Sequence, residues 1–460
     1  MPSGTPSLRS GTKLNESMND PLKLECEWWG RSDDKPDLYQ VSRGAIGIRI
    51  GDQYLTRLED AWGNTVRNRV NACAYTLGEW LAGNWWRLRW EPETPHSRED
   101  VDWRMSHSMA SAGGGFCWPS ILFASDGETL AVASRPSMGQ TMGPVRYLTE
   151  SSTRITAKDF EREIDAFMVL VLTRLHSEGF PETELAALWA EVQKERADPK
   201  LAQWRRLEAI SGYDPGEAPA AMIELVAKDP FQLGKKAVEE VAAHARHNTA
   251  RVLTEIQELA TRGSTKTANG SFHCQPLTLN RKPHCAAGSR PWENAARLAR
   301  AAREEWGFGN EMIDNARLAG VFRTNHKAFS SQPSGNAPMP LALHSASDGK
   351  VDFHLGKPMG ISRRFSACRL LAQWLDRAGN TERLIPAAEA KTAQQRFQRS
   401  FAQEFLCPFD ALMERLQTQH PSPDAIDEAA DHFGVSPLAV RTTLINKGQM
   451  DRESLEWAAA

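Results

Sequence analysis

His273-Cys274 and His284-Cys285 repeat one His-Cys pair, with nine residues between the two copies. Four nitrogen and sulfur ligands of this kind would make a tetrahedral zinc site. The spacing argues against it. Adjacent residues reach a single ion only if the chain bends sharply between them, and common zinc spacings leave two or more residues between paired ligands. The residues therefore read as incidental, with a structural zinc as the competing expectation. Such a zinc would staple a polar segment that has little core of its own.

Two further groups invite a chemical reading. Ser106-His107-Ser108 precedes Gly113-Gly114-Gly115-Phe116-Cys117, which suggests a Cys/His nucleophile pair beside a glycine-built oxyanion hole. Nothing orients His107, and no helix is predicted to depress the pKa of Cys117. A buried thiol leading into a hairpin at Ile121 fits better. Trp85-Trp86-Arg87-Leu88-Arg89-Trp90 interleaves aromatic and basic residues. Tryptophan can stack a base while arginine pairs a phosphate, so Trp85, Trp86, Arg87 and Arg89 are the candidate nucleic-acid face. The competing reading is a buried strand with apolar groups on both sides. No GxxxxGK[ST] run is present, and Gly307-Phe308-Gly309 lacks the strand-then-helix setting of a dinucleotide site.

The elements that would carry these residues define a multi-domain α+β chain. The 460 residues correspond to about three domains at ~150 residues each. A 41% hydrophobic and 25% charged composition is that of a globular protein, and a net charge of -3 excludes a strongly basic whole-chain footprint. No run of about 18 apolar residues predicts a membrane span. The polar first residues lack the apolar core of a secretory leader. The 7 cysteines, an odd and scattered set, predict reduced thiols in a cytosolic protein.

Residues 1–20 read as a mobile tail. Residues 21–155 read as a Trp-rich mixed α/β domain, with a strand at Gly44 to Ile50 and a helix from Val66 to Trp80. There, Asp126-Gly127 turns a hairpin. Residues 156–262 read as a helical bundle, capped at its start by Thr156 and broken at Gly212 and Pro215. Nothing in the bundle reads as chemistry. Residues 263–290 read as a linker, and 451–460 as a second tail.

Residues 291–450 read as a mainly helical domain around a short β-hairpin. Leu341 to His344 and Val351 to Leu355 are the strands, Ile361 to Leu375 and Thr392 to Leu406 the next helices. The end, Asp424 to Lys447, reads as helix, turn, helix, with Ser436 as cap and Pro437 at the first helical position. A DNA-reading role for this pair rests on Arg441 and Lys447. The acidic first helix, with Asp424, Asp427, Glu428 and Asp431, opposes it.

Three landmarks stand in order here: Arg363-Arg364-Phe365, then Phe401 to Pro408 (FAQEFLCP), then Val435-Ser436-Pro437-Leu438-Ala439-Val440. In this order the last third of the chain resembles the ImmA/IrrE family of zinc metallopeptidase-like domains. The resemblance implies a zincin-like scaffold, with two zinc-binding His and a general-base Glu on the helix after the strand pair. Aligned on Phe365, those positions hold Arg369, Leu370 and Gln373. Arginine is a permanent cation, leucine cannot take a proton, and glutamine is a poor zinc ligand. The third-ligand helix offers Gln395, Arg396, Phe397 and Gln398, with no carboxylate.

The expectation is a non-catalytic binding or regulatory protein on a degenerate peptidase scaffold. The family implies a protein partner in a bacterial or phage regulatory or defence setting. Two alternatives stand beside it. One is an atypical metallopeptidase with a site rebuilt from His344, His354 or the His-Cys pairs. The other is a nucleic-acid-binding subunit of a larger complex.

Overall fold

The computed structural model describes residues 21–30, 37–137, 144–262, 271–281, 283, 290–332, 335–344, 350–376, 382–418 and 421–450. The fold is mixed α+β, as expected, with several small antiparallel sheets among the helices. Both expected tails lie outside the described residues. Among those residues no helix is long and apolar enough to cross a membrane.

The N-terminal part is built on a sheet in which Arg43–Ile50 pairs with Leu22–Trp28, Gln53–Tyr54 and Val70–Cys73. Strand Leu22–Trp28 lies at the sheet's edge. Glu163 covers it, accepting from the Leu24 backbone N–H and from Lys23, each at 2.8 Å. An edge closed in this way cannot pair with another chain along that stretch. The Asp126-Gly127 hairpin forms between Ile121–Ser125 and Thr129–Ser134, as the turn signal predicts.

Two local expectations in this region are corrected. The helix expected from Val66 begins only at Ala74; Thr65–Arg67 and Val70–Cys73 are strands. Val70 and Ala72 face the core and Asn71 faces out, so the period there is two, not 3.6. The expected Trp-rich strand is a helix, Trp85–Trp90. Its arginines are buried along with Trp85 and Trp86, which removes the polar stripe that would have marked a helix.

The helices Ala157–Ser177 and Glu184–Ala197 pack into the N-terminal core rather than into a separate bundle. The expected boundary at 155 therefore falls inside one core. A second correction concerns 263–290. Ser271–Cys274 within it is an edge strand of the C-terminal sheet, paired with Val351–His354. That sheet runs Ser271–Cys274, Val351–His354, Leu341–His344, Leu384–Pro386.

This sheet is covered on both faces. Leu341, Leu343 and Leu384 point into the core formed by the helices between Leu207 and Ile256. Ala342, Ile385, Val351 and Phe353 point into the C-terminal helical core. Alternate side chains of one strand thus serve two cores, which joins the middle helices and the C-terminal helices as outer layers of one unit.

Candidate functional site

The segment from Ala387 to Arg396 is where the three parts of the chain meet. Its backbone is tied to the N-terminal part: Lys391 N–H donates to the Glu93 carbonyl at 2.8 Å, and Ala393 N–H to the Asp126 carbonyl at 2.9 Å. Side chains repeat the connection. Lys391 pairs with Glu93 at 2.7 Å, and Arg396 with Asp126 at 2.8 Å. Burial alone would raise the pKa of Asp126, but Arg154 and Arg396 beside it hold the carboxyl below its ordinary value. The same segment touches the middle helices. Glu389 N–H donates to His244 Nδ1, and Thr392 Oγ1 donates to Glu240 Oε2 at 2.7 Å.

Beneath this segment Arg369 meets Gln395. Helix Gly360–Asp376 carries Arg369, and helix Ala393–Leu406 carries Gln395 and Gln398. Arg369 donates to Gln395 Oε1 at 2.6 Å and to the Ala388 carbonyl at 2.5 Å. Gln395 Nε2 in turn donates to Glu240 Oε2 at 2.9 Å and to the Pro386 carbonyl. Gln398 also donates to Pro386, and Arg399 to the carbonyls of Ala388, Glu389 and Ala390. Burial drives the Arg369 pKa well down from its ordinary value, with the like charge of Arg399 adding to it. Leu370 lies in the apolar core, and Gln373 is half-buried. The chemistry of this set is donor to carbonyl and amide. Arginine, leucine and glutamine supply neither a metal-binding imidazole nor a base.

Glu240 is the ionisable group that sequence reasoning missed. It lies on helix Lys235–Ala245, one turn from Ala237 and from His244, at the edge of the apolar stripe. Part of its side chain stays exposed, yet protein atoms crowd the carboxylate. This burial pushes its pKa up to about 6, against the hydrogen bonds from Thr392 and Gln395. A cavity of about 250 Å³ opens at the same junction, lined by Thr94, Pro95, His96, Asp100, His244, Arg246 and Glu389.

Among the described residues the candidate metal ligands are not brought together. Neighbours on a strand point to opposite faces. His273 Nδ1 is 2.7 Å from Asp352 Oδ1, while Cys274 packs into the C-terminal core, where burial pushes its thiol up to about 12. His284 and Cys285 lie outside the described residues. His344 and His354 occupy opposite ends of the strand pair, since Leu341 faces His354 and His344 faces Val351. Three strand residues separate them by about 10 Å, on opposite faces of the sheet. His344 stacks on Trp374 instead. Among the described residues no three His, Cys, Asp or Glu side chains are grouped to hold a metal.

The expected nucleic-acid face is corrected as well. Trp85 and Trp86 are core residues, and Trp86 Nε1 donates to Glu195 at 2.7 Å. Arg87 is 1% exposed and ion-paired with Glu91, Asp102 and Asp214. Arg89 pairs with Glu161 and lies 3.7 Å from the centre of the Trp90 ring. Charges neutralised inside the protein are not presented to phosphate.

His107 is fully buried, stacked on Trp103 at 4.2 Å, with Nδ1 2.9 Å from the Trp103 carbonyl. Cys117 is exposed, which corrects the buried thiol expected before the hairpin and places it in a different environment from His107. The glycine run serves the backbone: Gly114 has a φ of 69°, and a Cβ there would meet Thr76 at 2.6 Å. The terminal helix pair forms as expected, with Ser436 accepting from Ala439 N–H at 3.2 Å. It buries Ile426, Phe433, Val440 and Leu444 in the C-terminal core, and Arg441 turns toward Asp427.

Set against known proteins, the chain matches no family model, no curated protein and no solved structure.

Proposed function

We propose that the chain is a non-catalytic binding or regulatory protein, with an ImmA/IrrE-like C-terminal unit in which a hydrogen-bonded lock replaces a metal centre. The observation that carries this reading is the Arg369–Gln395 contact. It joins the two helices on which the resemblance would put the metal ligands. A guanidinium there fills the space and donates to the Ala388 carbonyl and the Gln395 amide oxygen. The dispersal of His344, His354, His273 and Cys274 weighs against a rebuilt peptidase site. The internal pairing of Arg87 and Arg89 weighs against that face as a nucleic-acid surface.

On this reading the protein works by holding a partner, in a regulatory or defence complex of a bacterial or phage kind. The test is purification of the tagged chain from its native host at moderate salt, with both protein and nucleic acid identified. A specific protein at near-stoichiometric level is the expected result. A clean chain that hydrolyses peptides, and loses that activity to a chelator, would overturn the reading.

A further inference from the structure

We propose that the open end of edge strand Leu22–Trp28, with the groove beside it, takes an extended segment of a partner protein as an added strand. The proposal extends the partner-binding reading to the N-terminal part and stands without the family resemblance.

The strand pairs with Arg43–Ile50, with Leu24 opposite Ile48, Cys26 opposite Ile46 and Trp28 opposite Gly44. Alternate residues of an antiparallel strand bond to the same neighbour. Trp29 N–H donates to the Arg43 carbonyl at 3.1 Å, and Gly51 N–H to the Pro21 carbonyl at 3.3 Å, so the odd-numbered residues bond to the sheet. Leu24 N–H points the other way, to Glu163. Cys26 and Trp28 follow in the same phase and turn their N–H and C=O groups outward. Among the described residues nothing bonds to those groups. Glu163 therefore closes the edge at Leu24 and leaves it open from Cys26 to Trp28.

Helix Ala157–Ser177 runs along this edge. Glu163 stands at the closed end. Leu170 and Arg174, two and three turns on, stand beside Trp28, where a cavity of about 470 Å³ opens between helix and strand. Ala166 and Val169 complete its wall. Val169 is 63% exposed, on a helix whose opposite side is core. Arg174 serves as wall rather than as an anion site. Its guanidinium lies 5.6 Å from the centre of the Trp28 ring, donates to the Val41 carbonyl and pairs with Glu178 at 2.6 Å.

The backbone groups fix the form of the occupant. Outward N–H and C=O groups on alternate residues are matched by an extended chain and not by a helix. The side chains fix its pattern. In a strand laid against Cys26 and Trp28, the residues opposite them share their face and enter the groove beside Val169 and Leu170. The residue between lies on the other face, opposite Glu27. The Glu27 side chain is 73% exposed, and its contact with Arg69, at 3.1 Å, leaves the carboxylate open to a second cation. Glu25, by contrast, is occupied by Arg49, Arg69 and Tyr54. The occupant is thus an extended segment with apolar residues at alternate positions and lysine or arginine between them.

The probe is a display library of random seven-residue peptides, offered to the full chain. The expected result is enrichment of sequences that alternate apolar with basic residues. Binding of the most enriched peptide should slow hydrogen exchange at the Cys26 and Trp28 amides about tenfold and leave Phe167, in the core, unchanged. Val169→Glu, at an exposed position, should weaken that binding about tenfold or more. Glu27→Lys should move the enrichment from basic to acidic residues. No enrichment above an empty support would overturn the proposal. So would a peptide that leaves Cys26 and Trp28 exchange unchanged, or one that binds Val169→Glu equally well. A partner recovered from the native host, with no such peptide enriched, would keep the partner-binding reading and remove this docking site.

Discussion

The Arg369 guanidinium donates to Gln395 Oε1 at 2.6 Å, and through it helix Gly360–Asp376 is bound to helix Ala393–Leu406. On the proposed reading, the pair takes the place of a metal between the same two helices. A hydrogen-bonded lock of this kind is strongly coupled, because each partner alone becomes a buried polar group without its complement. Arg369→Leu should cost about 2–4 kcal/mol in urea unfolding. The double variant with Gln395→Leu should cost less than the sum of the single variants, by about 1–2 kcal/mol. Additive effects would show that the two side chains act separately.

Arg87 is paired with three carboxylates, one of which, Glu91, is 2% exposed at its side chain and also pairs with Arg246 at 2.8 Å. Removing the guanidinium takes one of two arginine partners from a carboxylate inside the protein. Arg87→Ala should therefore destabilise the chain by about 3–5 kcal/mol. The check is a denaturation midpoint. Unchanged stability, with a reduced salt slope for nucleic-acid binding, would return Arg87 to the surface role that sequence alone suggested.

Gly212 has a φ of 78°, and a Cβ built there would lie 2.5 Å from Arg246 Nε and Nη2. Arg246 itself has an unusual backbone conformation, with φ 50° and ψ -124°, and its guanidinium pairs with Glu91 and Asp100. Gly212→Ala should cost about 2–3 kcal/mol, since it imposes both backbone strain and a clash on a fixed guanidinium. Gly307 also has a positive φ, of 71°, but nothing lies near its Cβ position, so Gly307→Ala isolates the backbone part and should cost about 1 kcal/mol. Equal losses at the two sites would remove the packing role assigned to Gly212.

Asp126 joins the N-terminal hairpin to the C-terminal unit, accepting from Arg154, Arg396 and the Thr129 backbone. Its carboxyl titrates below the ordinary 3.8. The stabilisation it gives is therefore present above 3.8 and is lost as pH falls through the lower, folded value. Asp126→Asn should be about 2–3 kcal/mol less stable than the native chain at pH 7. The gap should close as the pH is taken below 4. A gap that persists unchanged in acid would mean that the charge of Asp126 is not what matters.

The local signals in the sequence were of unequal value. Asp126-Gly127, Thr156 and Ser436-Pro437 each mark an element boundary through chemistry confined to a few residues, and each forms as expected. Trp85–Trp90 misled because Arg87 and Arg89 are buried by carboxylates from 102, 214 and 161, which no local window contains. Ser271–Cys274 looked like linker because its strand partner stands about 80 residues later. The candidate site was half legible. Arg369 and Gln395 could be singled out from their positions, but Glu240 could not, because its burial depends on a segment about 150 residues away.

The most direct test of the central claim is the metal content of the purified chain after dialysis in micromolar zinc, measured by elemental analysis alongside protein concentration. A lock made by Arg369 and Gln395 predicts well under one zinc per chain and a thermal midpoint that a chelator leaves unchanged. One tightly held zinc per chain, with a midpoint that falls on chelation, would contradict it.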